Sequence, residues 1–183
     1  MLVSLGSLVL PIVLSAVALF FASFLSWMVL QLHKGDWKKI DREDEFLAAA
    51  GQCHLAEGSY MFPGCKSNAD MQSEDYKKKY EAGPRGVMTI LPKVNMGQNL
   101  GLTFAYFLIV STLLGYLASI SISPGAEFMG VFRFVSTAAL MTFLAAIVQH
   151  AIWFRNRIVG HVVESLAYAA ITAAIFAALW PAK

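Results

Sequence analysis

The residues of this chain that could do chemistry are a histidine and a carboxylate inside an otherwise apolar run. His161 and Glu164 lie in residues 158–180, a run that contains no lysine or arginine. They share one face of a helix, because successive helical residues turn by about 100°. A carboxylate deep in an apolar span costs about 2.5 kcal/mol or more when it faces lipid, so we expect this face to meet protein or water.

A polar stripe extends this pair along the same helix face. Its members are Arg157, His161, Glu164, Tyr168 and Thr172. Because a carboxylate needs a partner in an apolar span, we expect Glu164 to form a structural ion pair with Arg157 or His161. The stripe is therefore first a candidate for holding the helices together.

The second interpretation of these residues is a metal site. Helix bundles often bind a metal through a histidine and a carboxylate on one helix face, and this donor pair suits Zn, Mn or Fe. His33 and His150 lie near the ends of other apolar runs. The polar cluster that we single out is Glu164, His161, Arg157, His150 and His33, and its candidate metal ligands are His33, His150, His161 and Glu164.

Recognisable catalytic motifs are missing from the sequence. It has no His-Glu-x-x-His, no phosphate-binding glycine loop, no nucleophile elbow and no Cys-x-x-Cys. We therefore predict no catalytic residue, no cofactor and no enzymatic activity.

The composition indicates the elements that must position these side chains. The chain is 57% hydrophobic and only 14% charged, whereas soluble domains are about a quarter charged. Twenty of the 26 charged residues fall in residues 34–93, and the flanking stretches have few. This distribution predicts a multi-pass membrane protein with one polar insertion.

The predicted fold is an all-α membrane protein, a four-transmembrane-helix bundle with a small cytoplasmic α+β insertion between helices one and two. We place the spans at residues 1–32, 98–122, 127–154 and 158–180, and the insertion at 33–97. The first run is uncharged over residues 2–32, longer than the apolar core of a signal peptide, so we expect it to be retained. Pro11 should kink this span or end a first helical segment, and Ser15, Ala18, Ala22 and Ser26 give it a small-residue packing face.

Within the insertion we expect two short helices, at 42–50 and 74–82, and two extended runs. The runs, at 58–65 and 86–92, should pair as a small antiparallel unit. Residues 33–98 carry ten Lys/Arg and ten Asp/Glu, so this is no basic arm for nucleic acid.

The charge distribution also predicts the orientation in an inner membrane. The side that carries the insertion and the 155–157 turn holds twelve of the fourteen Lys/Arg, and positive charge favours the cytoplasm. We therefore expect the insertion to be cytoplasmic and both termini outside. In a reducing cytosol Cys53 and Cys65 should be free thiols, whereas the opposite orientation would favour a disulfide.

One block of the insertion resembles a family of uncharacterised bacterial four-span inner-membrane proteins. The block consists of Tyr60-Met61-Phe62-Pro63, Gly83-Pro84-Arg85-Gly86, Pro92 and Asn95-Met96-Gly97. The resemblance implies a four-span membrane protein, and it brings no activity and no catalytic residue.

Three functions follow from these observations. We favour a non-enzymatic accessory or scaffold protein, whose partners are the bilayer and another membrane protein or a second copy of the chain. The alternative is a small oligomeric transporter or channel with Glu164 and His161 in its path. The further alternative is a membrane metalloprotein that uses the histidine cluster.

Overall fold

The computed structural model describes residues 3–182 and divides into two compact units. One unit consists of Met1–Lys38 and Met96–Lys183, and the other of Lys39–Asn95. The first unit contains four helices long and apolar enough to cross a membrane: Leu5–Val29, Met96–Ser121, Phe128–Phe154 and Val159–Ala178. The predicted fold class, a four-helix membrane protein with an α+β insertion, is thereby confirmed.

The first span combines three kinds of helix. A 3₁₀ turn at Leu5–Leu8 leads into helix α1, Val9–Phe24, which continues as a π-helical segment, Leu25–Val29. Pro11 lies in the first turn of α1, where its missing N–H leaves no helical bond unmade. The chain therefore starts a helix beside the proline rather than breaking one. Of the predicted packing face, Ser15 and Ser26 are buried and Ala18 and Ala22 half-buried.

The other three spans of this unit are helices α5 (Met96–Ser121), α6 (Phe128–Phe154) and α7 (Val159–Ala178). Helix α6 packs along α7, and α1 packs against both α5 and α7. The close approach of α5 depends on Gly115, because a Cβ there would lie 3.1 Å from Ile12 Cδ1 and 3.3 Å from Phe176 Cε1. Small residues allow such approach where lipid provides no hydrophobic driving force.

The two ends of α7 are fixed in different ways. Beyond its C-terminal end, Trp180 Nε1 donates to the Ser123 carbonyl at 3.0 Å, and the Gly125 N–H donates to the Pro181 carbonyl at 2.8 Å. Before its N-terminal end, Arg155 adopts a left-handed backbone (φ 55°) and closes α6. The tight reversal at 155–157 brings the start of α7 next to the end of α6.

The second unit contains three short helices and a hairpin-like pair of strands. Its elements are α2 (Glu43–Gln52), β1 (Gly58–Phe62), α3 (Asn68–Gln72), α4 (Glu74–Ala82) and β2 (Gly86–Ile90). The strands pair antiparallel with Tyr60 opposite Met88, as the sequence predicted. Ser73 caps α4, because its Oγ accepts from the Tyr76 N–H at 3.2 Å. No residue between 39 and 95 is buried, and Cys53 and Cys65 are free and exposed.

Candidate metal centre

Three ligating side chains meet where the first span ends and α7 begins. His33, His161 and Glu164 each offer a donor atom, and the three atoms lie within 4.8 Å of one another. Glu164 Oε2 is 3.1 Å from His33 Nε2 and 3.9 Å from His161 Nδ1. The two imidazole rings lie beside each other, with centroids 4.5 Å apart. Two of the three side chains, His33 and Glu164, are buried.

The π-helical segment and the turn after it position His33. Within that segment the Leu30 N–H donates to the Leu25 carbonyl at 2.8 Å. Gln31 then takes a left-handed backbone (φ 50°), which reverses the chain. The reversal lays the His33 ring on Trp27, with centroids 4.0 Å apart and planes inclined by 14°. Such π segments occur often at functional sites.

Helix α7 supplies the other two donors and approaches His33 closely. His161 and Glu164 lie one turn apart on its first two turns. The residue before them is Gly160, where a Cβ would lie 2.8 Å from His33 Cε1 and 3.1 Å from the Leu32 carbonyl oxygen. A glycine at this position therefore lets the backbone of α7 touch the histidine turn.

A second carboxylate orients His33 from its other nitrogen. Asp36 Oδ2 lies 2.7 Å from His33 Nδ1, and Asp36 Oδ1 lies 3.9 Å from Arg157 Nε. The guanidinium covers Gly35, since a Cβ there would overlap Arg157 Nη1. Histidines that ligate a metal almost always hydrogen-bond to a carboxylate or carbonyl through the other ring nitrogen. Asp36 is that partner for His33 Nδ1.

The contact between His33 and Glu164 requires a positive charge. A neutral imidazole has one N–H, and on Nδ1 that N–H would donate to Asp36 Oδ2. The lone pair on Nε2 then faces the Glu164 carboxylate at 3.1 Å. Two acceptors repel each other at this distance unless a cation, either a proton or a metal ion, lies at that position.

The buried polar atoms of this contact are compatible with a bound ion. Within residues 3–182, His33 Nε2 and Glu164 Oε1 are buried without a hydrogen-bond partner. Oε2 lies 3.1 Å from Nε2, a separation that a second N–H on His33 or an ion shared by the two atoms would both satisfy. Donors about 2.1 Å from one tetrahedral ion are separated by about 3.4 Å. The observed separations of 3.1 and 3.9 Å bracket that value.

The structure brings together some of the predicted site residues and not others. His33, His161 and Glu164 form the cluster, and the rest of the polar stripe, Tyr168 and Thr172, is buried in the bundle. Arg157 contacts Asp36 instead of Glu164, so of the two predicted partners of Glu164 it is His161 that lies beside the carboxylate, at 3.9 Å. The His150 ring lies against Phe154, with centroids 4.4 Å apart, and His150 does not belong to the three-residue cluster.

Asp36 and Trp27 contact His33 and were not predicted as part of the site. In the sequence, Asp36 is one of many charged residues of the insertion, and Trp27 is a candidate interfacial anchor at the end of a span. The signal for Asp36 is its three-residue spacing from His33, which suits a tight turn. No local pattern indicates that Trp27 would stack on a histidine beyond the end of its own helix.

Three cavities lined by described residues adjoin the cluster. The first, of about 480 Å³, is lined by Trp27 and His33, and His161 borders the other two. One, of about 390 Å³, is lined by His150, Arg157 and His161 near the α6–α7 turn. The other, of about 200 Å³, lies between the helices and is lined by Glu164, His161 and several aromatic side chains. The cluster is thus accessible to small molecules on more than one side.

Comparison of the chain with family models, with curated proteins and with solved structures finds no match. The resemblance of the 60–97 block to a four-span bacterial family therefore stays a prediction. The site has to be interpreted from its own geometry.

Proposed function

We propose that this multi-pass membrane protein is a metalloprotein, which binds one divalent first-row transition metal ion through His33, His161 and Glu164. The observation that carries the proposal is the contact between His33 Nε2 and Glu164 Oε2. These two atoms are 3.1 Å apart, Nε2 has no hydrogen-bond partner within residues 3–182, and the other ring nitrogen, Nδ1, lies 2.7 Å from Asp36 Oδ2. A metal ion supplies the charge that this arrangement lacks.

The donor set fits the chemistry of such an ion. Two imidazoles and one carboxylate are a ligand set used for Zn²⁺ and for non-haem Fe²⁺. Three protein donors, unlike the four of a structural zinc site, leave a coordination position for water or a small ligand. The burial of His33 and Glu164 (3% and 7% exposed) limits exchange with bulk water.

Metal analysis of the purified protein tests this proposal. We expect one equivalent of Zn²⁺ after loading and removal of excess metal. Glu164→Gln keeps the size of the side chain and removes its charge, and His161→Ala removes a donor. Each should weaken binding on the order of 100-fold or more, because losing a ligand costs more than the 10–100-fold loss typical of its supporting partners.

His150→Ala is the matched control, because His150 lines the neighbouring cavity without belonging to the cluster. It should bind Zn²⁺ as the parent protein does. Retention of full affinity in Glu164→Gln, with the variant still helical and monodisperse, would rule out the proposed site.

A transport path is the second candidate, because His161 separates two cavities. The 390 Å³ cavity and the 200 Å³ cavity both include His161 and Ile147 in their walls. A cation passing between them would meet the Glu164 carboxylate. In this case vesicles that contain the protein should take up Zn²⁺ or protons, and Glu164→Gln should abolish the flux.

An accessory role is compatible with either activity and rests on the insertion. The insertion exposes large apolar side chains, including Leu47, Met61, Val87 and Leu91. We propose that it faces the cytoplasm of a bacterial-type cell, as the charge bias of the sequence favours, and supplies a surface for a protein partner. A partner that co-purifies with the full chain and is lost when these side chains are replaced by serine would support this role.

A further inference from the structure

We infer that the 200 Å³ cavity binds a single-ring phenol, whose oxygen takes the open position on the metal. This inference rests on the proposed metal centre and extends it by naming the class of ligand. The cavity lies inside the helix bundle and shares Glu164 and His161 with the cluster. A ligand in the cavity is therefore next to the donors that would hold the ion.

The walls of the cavity are aromatic and come from all four spans. They include Trp27 from the first span, Tyr106 and Phe107 from α5, Phe143 from α6 and Tyr168 from α7. An aromatic ring that enters such a site gains edge-to-face contacts beyond simple burial. The composition of the walls therefore favours a planar ring over an alkyl chain.

Three of these side chains hold one another in place. The ring centroids of Phe107 and Tyr168 are 5.6 Å apart at 81°, and those of Phe143 and Tyr168 are 5.4 Å apart at 73°. All three residues are at most 7% exposed. The pocket is therefore largely formed before a ligand arrives, which lowers the entropic cost of binding.

The size of the cavity limits the ligand to one ring with small substituents. An apolar protein cavity of about 150 Å³ binds benzene. At about 200 Å³ this cavity has room for a benzene ring and one or two further heavy atoms. Larger polycyclic compounds and lipid chains would not fit.

Glu164 and His161 are the polar side chains that the cavity shares with the proposed metal site, and they set the orientation of the ligand. The hydroxyl of Thr103 instead donates to the Asn99 carbonyl at 2.8 Å, and that of Ser165 to the His161 carbonyl at 2.7 Å. A ligand should therefore direct a single oxygen towards Glu164 and the metal and keep its ring among the aromatic walls.

Access from the side of the bundle favours a neutral, lipophilic molecule. Tyr106 lines the cavity and is also 48% exposed on the outer surface of α5. In a bilayer that surface meets lipid, where phenols partition readily in their neutral form. A metal ion held by the three ligands would favour the anionic oxygen of the phenol, with the proton released to solvent water.

Titration of Co²⁺-loaded protein with p-cresol tests the inference. Co²⁺ binding is measured first through its visible absorption, and p-cresol should then change that spectrum in a saturable way. Toluene has the same ring without the oxygen, so it should bind on the order of tenfold more weakly, because it lacks a bond to a charged centre. Acetate has oxygen donors and no ring, so it should not saturate the site over the concentration range in which p-cresol does.

A cavity-filling variant separates the pocket from the metal site. Ser23→Leu adds bulk to the cavity wall and leaves the three ligands unchanged, so it should bind Co²⁺ normally and lose p-cresol at least tenfold. Ser136→Leu, a similar change on α6 outside the cavity, is the control and should keep both affinities. Equal p-cresol affinity in Ser23→Leu and the parent protein would overturn the pocket assignment.

The two proposals fail in different ways in this experiment. Co²⁺ binding without any p-cresol response would overturn the ligand and leave the metal centre standing. A failure to bind Co²⁺ would overturn the metal centre. Calorimetric titration of metal-free protein with p-cresol then tests whether the cavity binds the ring without the metal. If the heat of binding is absent, or is the same in the parent protein and in Ser23→Leu, the pocket assignment is overturned as well.

Discussion

At the scale of single residues, His33 is the most constrained side chain of the first unit. Trp27 covers its ring face, Asp36 meets Nδ1 at 2.7 Å and Glu164 faces Nε2 at 3.1 Å. Only 3% of the residue is exposed. A buried histidine with a carboxylate at each nitrogen and a stacked ring is held in one orientation, which is a condition that a metal ligand requires.

Asp36→Asn tests the role of the orienting carboxylate. The amide keeps the size of the side chain and removes the charge, so the basicity of His33 towards the metal falls. We expect the dissociation constant for Zn²⁺ to rise about 10–100-fold, measured by competition with a chromophoric chelator.

The same substitution at Asp75 is the control for Asp36→Asn. Asp75 lies on the exposed face of α4 and pairs with Lys79 at 2.6 Å, so Asp75→Asn should leave Zn²⁺ affinity unchanged. Equal affinity in the Asp36→Asn and parent proteins would mean that the carboxylate has no part in the centre.

The sequence identified three residues of this centre and left out the ones that orient them. His161 and Glu164 are recognisable because charged and titratable groups are rare in an apolar helix. His33 was a candidate because it ends a span. Asp36 could not be distinguished from the other acidic residues of 33–98. Its position beside His33 depends on the turn at Gln31, and no local sequence motif predicts the conformation of that turn.

At the scale of elements, the centre depends on how closely two helix ends approach. The π-helical segment Leu25–Val29 carries the chain into the histidine turn, and α7 begins beside that turn. Gly160 is the point of contact, where a Cβ would lie 2.8 Å from the His33 ring. The relative position of these two elements should therefore control metal affinity without any change in the ligands.

Gly160→Ala tests this contact. The added methyl group must push the His33 ring or the Leu32 backbone away, so we expect Zn²⁺ affinity to fall about tenfold, as for a lost supporting interaction. Isothermal titration of the detergent-solubilised protein measures it.

Gly101→Ala on α5 is the matched control, because a Cβ there meets nothing within 4 Å. It should keep full affinity and stabilise the fold by about 0.5 kcal/mol through a less flexible unfolded chain. If both glycine variants bind Zn²⁺ equally well, the approach of α7 to the turn does not determine the site.

At this scale the sequence predicted the positions of the four spans and of the paired strands, but not the π-helical segment that ends the first span. Apolar runs and turn residues indicated the spans and the two paired strands. The π-helical segment and the short helix α3 were not anticipated, since both depend on backbone hydrogen bonds that have no strong residue signature. Pro11 was expected to kink the span or to end a first helical segment. The 3₁₀ turn ends at Leu8, three residues before Pro11, which lies in the first turn of α1.

At the scale of the whole molecule, the four apolar helices make a membrane protein the firm conclusion, and orientation is the next property to test. The chain has two cysteines, and both are exposed in the insertion. They therefore report directly on the side of the membrane that the insertion occupies.

Labelling with a membrane-impermeant maleimide tests the predicted orientation. In right-side-out vesicles of a bacterial inner membrane we expect no labelling, and in inside-out vesicles we expect modification of both thiols. A Cys53→Ser, Cys65→Ser double variant provides the background. Labelling of right-side-out vesicles would place the insertion outside and contradict the charge-based prediction.

X-ray absorption at the zinc edge of protein loaded with one equivalent of Zn²⁺ tests the central claim most directly. The account predicts two imidazole nitrogens and one carboxylate oxygen, all at about 2.0–2.2 Å, and loss of the ordered first coordination sphere in Glu164→Gln. Zinc bound instead by the two exposed cysteines of the insertion, Cys53 and Cys65, would place sulfur at about 2.3 Å. A spectrum that contains sulfur, or one without imidazole, would contradict the metal centre at His33, His161 and Glu164.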